Sequence, residues 1–365
     1  MSHQPETDLG KRSRSKISNI TGMQVQSLLH KLQIIQPFLP NIPFCEIISD
    51  QDYDKGEANV SNNEKNGKHV LQEVSIIGHL RRIQALKTCN RAIELGAGTA
   101  RLSDRLQKVT ECKLDHVLID RQEFHDNHCR NRILKARICK CCKDTGKDRR
   151  KVERVTVDIG SLKMEQFLCE VDGDCNKIQA LCMSKHLCGP ACDLALSSLS
   201  RAVDKINCMP PTAIATCCHY LCDWDCFSGK DFWIALGLTE EDFIVATTVS
   251  QWASLQDKKK MKRDSSNKND LQESITPLPN LFQVASQIKD ALANVDEEEQ
   301  ANNFISSQEF ERTFSREAKA QLGIRLKQLF DFSRASFCQQ IGYEHVELVR
   351  YTTLSVENRL LIMYK

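Results

Sequence analysis

A change of rhythm at Arg91 constrains the fold more than any other feature of this sequence. From there short apolar runs, "RAIELGAG", "HVLID", "RVTVDIG", "IQALCMSKH" and "TAIATCCH", alternate with stretches at helical spacing such as "TARLSDRLQ" and "CDLALSSLSRAVDKI". Strands that alternate with helices build βαβ units, so the pattern predicts a parallel sheet covered by helices. Near the end "YEHVELVRYT" and "ENRLLIMYK" are separated by a short turn, which predicts an antiparallel hairpin closing the sheet. The expected fold class is α/β, with a mostly parallel seven-stranded sheet and a C-terminal antiparallel hairpin.

Residues 1–69 read as a helical and disordered extension. The start is polar, "MQVQSLLHKLQIIQPFLP" carries a helical pattern closed by prolines, and "QDYDKGEANVSNNEKNGKH" is a polar linker. "VLQEVSIIGHLRRIQAL" then places apolar residues at helical spacing and opens a domain over residues 70–365. Within it, residues 255–310 run from "QDKKKMKRDSSNKND" through "NVDEEEQANN" and predict an insertion of low order.

Composition narrows the function classes. Hydrophobic residues make up 41% and charged residues 27% of the 365, enough apolar content for a sizeable core. No apolar run approaches the roughly 18 residues of a membrane span. The N-terminal stretch lacks the apolar centre of a secretory signal, so the expected location is cytoplasm, nucleus or both, with no membrane partner. In such a chain the 18 cysteines read as reduced thiols, ligands or small buried apolar groups rather than a disulfide scaffold. The net charge of +2 hides a basic stretch: Arg130 to Arg154 holds eleven Lys or Arg against three acids. That is a footprint for a phosphate-rich partner, or else a solvated loop.

"IELGAGTARLSDRL" gives a strand, then Gly96-Ala97-Gly98, then a helix. The glycines permit a sharp turn and close approach of a ligand to the backbone. Arg101 stands where the dinucleotide fingerprint needs its third glycine, which disfavours a pyrophosphate. Glu94 would repel one too, and suits a ligand with positive charge such as S-adenosylmethionine. Asp120, 24 residues after Gly96, ends the second strand where an acid can accept from ribose hydroxyls. Asp158 closes the third strand and is positioned for an adenine amino group.

The loops after the fourth and fifth strands, "SKHLCGPACD" and "CCHYLCDWDC", should face the same pocket, since open α/β sheets bind ligands beyond the carboxyl ends of their strands. Cys188, Cys218, His219 and Cys222 could arithmetically ligate a metal, and Cys139 to Cys142 form another small cluster. Neither spacing is that of a standard zinc finger or ribbon, so no metal is expected. Gly189, Pro190 and Asp193 read as ordinary helix-start chemistry. Lys185 and His186 are not needed for that turn, and either can take up the proton of an attacking hydroxyl.

Read jointly, "KHLCG" with "DLAL", then "CCHYLCDW", "GKDFW" and "SVENRLL" resemble the eukaryotic tRNA ribose 2′-O-methyltransferases that act on position four of the acceptor stem, the tRNA methyltransferase thirteen family. The resemblance spans about residues 70–254 and 310–365. It implies a Rossmann-like domain using S-adenosylmethionine, with tRNA as substrate and partner. It carries the cofactor motif onto Glu94, Gly96 and Gly98, to which the strand-end acids Asp120 and Asp158 are added. It carries the later motifs onto Lys185, His186, Cys188 and Gly189, onto Cys217, Cys218, His219, Cys222, Asp223 and Trp224, and onto Glu357 and Asn358. The catalytic set it implies is Lys185, His186, His219 and Glu357, with Lys185 and Glu357 as a working lysine–glutamate pair. Family members usually carry Cys/His zinc modules before the catalytic domain. Here Cys45 is the only cysteine before Cys89, so those modules are expected to be missing and the basic stretch to supply RNA contacts.

Overall fold

The computed structural model describes residues 20–48, 64–110, 113–123, 151–168, 179–256, 274–293 and 314–365. The basic stretch up to Arg150 and the Cys139–Cys142 cluster lie outside them. One sheet of seven strands organises the fold: β1 (Arg91–Leu95), β2 (Asp115–Asp120), β3 (Val152–Thr156), β4 (Ala180–Cys188), β5 (Thr212–Cys217), β6 (His345–Arg350) and β7 (Arg359–Tyr364). Their spatial order is β3-β2-β1-β4-β5-β7-β6. β1 to β5 run parallel, and β7 is antiparallel to both β5 and β6.

The continuous apolar runs follow from burial on both faces of the central strands. Successive side chains point to opposite faces. Ile93, Leu95, Val117, Ile119, Cys182, Ile214 and Leu361 therefore join one core, while Ala92, Leu181, Met183, Ala213, Leu360 and Ile362 join the other. The strand order reverses between β1 and β4, which opens a crevice at their carboxyl ends.

The helices are α1 (Gly22–Ile35), α2 (Glu64–Arg82), α3 (Arg101–Val109), α4 (Pro190–Ile206), α5 (Glu240–Ser250), α6 (Leu281–Ala293) and α7 (Arg316–Gln340), with shorter helical turns between them. α2 and α3 cover one face through Ile76, Ile77, Leu80, Leu102 and Leu106. The others cover the second face. α1 starts at a reciprocal Thr21–Gln24 cap and buries Val25, Leu28, Leu32 and Ile35 in the main core. Next to it, Pro43 and Cys45 hydrogen-bond the backbone of Arg350 on β6. The segment 22–45, read from sequence as part of an extension, is thus packed on the sheet domain.

α6 lies inside the stretch read as an insertion of low order, yet Leu281, Ala285 and Ile288 are buried in the main core. Their spacing puts them on one helical face, a signal hidden by the charged runs on either side. Among the described residues no helix is long and apolar enough to cross a membrane.

Candidate functional site

The glycine loop lies against β4. Gly96 has φ +67, and a Cβ there would sit 3.0 Å from the carbonyl oxygen of His186. Gly98 has φ +49, and a Cβ added to it would meet nothing within 4 Å, so this turn borders open space. Asp120 holds the turn: its Oδ2 accepts from the Gly98 amide at 2.8 Å and its Oδ1 from the Gln122 amide at 2.9 Å. Each oxygen keeps a lone pair for a further donor.

The other two acids are placed differently from the sequence reading. Glu94 is 4% exposed, and its Oε2 accepts from the Ser103 amide in the first turn of α3 at 3.0 Å. Burial pushes its carboxyl up to about 7. It ties the end of β1 to the start of α3 beneath the loop. Asp158 is exposed, two residues beyond the end of β3, and caps a short turn by accepting from the Gly160 amide at 2.8 Å.

The β4–β5 register shifts between Ser184 and Leu187. Such an irregularity re-aims side chains. Here it turns Lys185 into the protein and His186 outward. Ser184 Oγ donates to the Leu95 carbonyl at 2.7 Å, fastening the irregular stretch to β1. Lys185 Nζ meets Glu73 Oε1 at 2.8 Å, the His69 carbonyl at 3.0 Å and His69 Nδ1 at 3.3 Å. Arg105 Nε donates to the other Glu73 oxygen at 3.0 Å. Burial lowers the Lys185 ammonium, with the Glu73 charge working against it. The His186 ring stands edge-on to His69 at 6.0 Å. Desolvation of the imidazole, reinforced by the Lys185 charge, holds it down at about 4. Glu73 and His69 were not singled out in the sequence, although their i, i+4 spacing on α2 puts both on one face.

His219 is fully buried. Its Nε2 lies 2.7 Å from Asp331 Oδ1 and its Nδ1 3.7 Å from Glu357 Oε2. It is thus enclosed between two carboxylates. Glu357 also pairs with Lys327. Its side chain is 28% exposed. Burial would raise its carboxyl, but His219 and Lys327 outweigh burial and hold it at about 2.

The expected Lys185–Glu357 pair is therefore rearranged: Lys185 has Glu73 as its acid, and Glu357 has Lys327 as its cation. Both pairs bear on buried Tyr351, whose phenol is raised by burial and then by Cys217, Glu357 and Glu73. Behind them, Arg334 makes a two-pronged contact with Asp193 at 3.0 and 2.7 Å and lies 3.6 Å from Asp331. For Asp331 too burial would raise the carboxyl, and His219, Arg359 and Arg334 together lower it.

The cysteines regroup as well. Cys222 Sγ accepts from Arg334 Nη2 at 3.0 Å, and His219 is held by Asp331, so the arithmetical set of Cys188, Cys218, His219 and Cys222 does not assemble. Instead Cys188, Cys217 and Cys218 bring their sulfurs within 4.8 Å of one another. The rest of the "CDW…FW" motif is scaffold. Asp223 caps a turn through the Asp225 amide, and Trp224, Phe227, Trp233, Phe243 and Phe330 form one aromatic cluster. Asn358 is tied down by its backbone, whose carbonyl accepts from the Tyr351 amide.

With this geometry in hand, comparison with known proteins is informative. The family described as "Methyltransferase TRM13" matches residues 71–364. A Dictyostelium discoideum protein named "tRNA:m(4)X modification enzyme TRM13 homolog" is 26% identical over 91% of this chain and 59% of its own length. The Schizosaccharomyces pombe "tRNA:m(4)X modification enzyme TRM13" is 28% identical over 82% of this chain and 68% of its own. The Homo sapiens "tRNA:m(4)X modification enzyme TRM13 homolog" is 26% identical over 81% of this chain and 65% of its own. This chain thus spans about three fifths to two thirds of these relatives. No solved structure matches it significantly. Since the match runs from α2 to β7 and takes in the whole sheet, the chain belongs to the methyltransferase TRM13 family.

Proposed function

We propose that this chain transfers a methyl group from S-adenosylmethionine to the ribose 2′-hydroxyl at position four of the tRNA acceptor stem, in cytoplasm or nucleus, through a Rossmann-like cofactor site. The observation that carries the reading is the coincidence of the family match with a glycine loop that abuts a reactive lysine–histidine pair at the strand-order switch.

The crevice residues fit the cofactor. Gly98 faces open space, and Asp120, anchored by two amides, still has acceptor capacity for ribose hydroxyls. Glu94 and Asp158 shape the loop ends rather than line the pocket. S-adenosylmethionine supplies a methyl group made electrophilic by a cationic sulfur.

A hydroxyl oxygen that takes up a methyl group must release its proton. His186, turned outward beside Gly96, is the acceptor for that proton. Lys185, with its N–H groups engaged by Glu73 and His69, fixes the irregular stretch of β4 against α2 beside the glycine loop. Glu357, partly exposed and steadied by Lys327 and His219, keeps its negative charge.

The test is incubation with methyl-labelled cofactor and unmodified tRNA, followed by nuclease digestion and nucleoside identification. Label in a 2′-O-methylnucleoside from position four is expected, and a tRNA carrying 2′-deoxyribose there should accept none. Label on a base, or on the deoxy tRNA, overturns the reading.

A further inference from the structure

Three thiols converge where the loops after β4 and β5 meet, and nothing in the methyl-transfer reading uses them. Cys188 Sγ is 3.5 Å from Cys217 Sγ and 3.4 Å from Cys218 Sγ. We propose that Cys188, Cys217 and Cys218 form a binding site for a thiophilic divalent cation, zinc above all, clamping these two loops together.

Zinc binds thiolate sulfur at about 2.3 Å in a tetrahedron, so its sulfur ligands stand about 3.8 Å apart. The sulfurs here are already at nearly that spacing, so little has to move when a cation enters. Disulfide formation would instead require a sulfur pair to close to about 2 Å.

The backbone explains the convergence. Cys188 and Cys217 are direct partners in the β4–β5 register. The next residue, Cys218, has φ +53, a left-handed conformation uncommon for a residue other than glycine. Such a conformation persists only where its surroundings enforce it. It turns the Cys218 sulfur back onto Cys188. The turn after Cys188 cannot drift away: Gly189 has φ +54, and a Cβ there would lie 2.5 Å from Leu221 Cβ. β4 and the "CCHYL" loop are thus interlocked at the point where the sulfurs meet.

Soft sulfur donors select zinc and its thiophilic relatives over magnesium or calcium. Three protein ligands leave a fourth position open, and Cys188 is exposed, so water can complete the tetrahedron.

The experiment uses the full chain with Cys139, Cys141 and Cys142 replaced by serine, which removes the other close-spaced cysteine cluster. After chelation under reducing conditions, cobalt(II) is titrated in and zinc is used to displace it. One cobalt per chain is expected, with thiolate charge-transfer bands and the intense visible bands of a tetrahedral site. Cys188→Ser and Cys218→Ser should each weaken binding by more than about 100-fold, beyond what loss of an outer partner costs. In the same chain with all three cysteines intact, zinc should protect Cys188 and Cys218 from alkylation, as read by mass spectrometry. Unchanged alkylation with zinc present, or cobalt binding that survives both substitutions, would overturn the proposal.

Discussion

Lys185 and Glu94 are charged residues on neighbouring strands, and both are buried, but their partners differ. Lys185 meets a carboxylate that opposes the cost of burial, whereas Glu94 accepts from the Ser103 amide and, among the described residues, has no cation bonded to it. Lys185→Gln keeps a hydrogen-bond donor for Glu73 and removes the charge. It should lower kcat for tRNA methylation by about 100-fold or more while cofactor affinity measured by calorimetry is unchanged. Equal turnover in the variant would remove Lys185 from the chemistry. For Glu94 the consequence is one of stability. Its carboxyl titrates near 4.5 in the unfolded chain and about 7 in the folded one, so between those values the folded state binds the extra proton. Its contribution is full below about 4.5 and is lost as pH rises through 7. Glu94→Gln should therefore be more stable than the parent at pH 8 and about equal to it at pH 4.5, as measured by urea unfolding. A difference independent of pH would contradict the assignment.

At the scale of elements, helix α7 runs 25 residues with a glycine inside it, Gly323, which costs helical propensity. The reason lies outside the helix. A Cβ at Gly323 would stand 2.2 Å from the Ala253 amide nitrogen and 2.9 Å from the Trp252 carbonyl carbon. Gly323→Ala would gain about 1 kcal/mol in an isolated helix. Here it should instead destabilise the fold by about 1–3 kcal/mol through overpacking, which denaturant titration would read. Elements with strong local signals were legible in advance: the five parallel strands, the Gly96–Gly98 turn, and the hairpin of β6 and β7 with its residue boundaries nearly right. α6 was not, because Leu281, Ala285 and Ile288 sit between long charged runs that dominate any window laid over them. The β4 irregularity was also invisible, since nothing in "MSKHLC" announces that the register slips at Lys185.

Across the whole molecule, one charged network joins segments far apart in sequence. Arg334 on α7 holds Asp193 on α4, and Asp331, on the same helix as Arg334, gathers His219 and Arg359 from two more places. Breaking one buried partner leaves the other uncompensated. Arg334→Met should cost about 3–5 kcal/mol, and the added change Asp193→Asn should recover part of it. A double variant no more stable than Arg334→Met would show that the pair is not what holds α4 to α7.

By itself the sequence determined the alternation of strands and helices, the glycine turn and the closing hairpin. These are local properties, written in side-chain periodicity and in backbone preferences over a few residues. Only the tertiary structure decided which charge meets which: Glu73 for Lys185, Lys327 for Glu357, Asp331 for His219, and Cys217 rather than Cys222 beside Cys188 and Cys218. Such pairings depend on how strands register and how helices lie across them, and energies acting over a few ångströms in space leave no period in the chain.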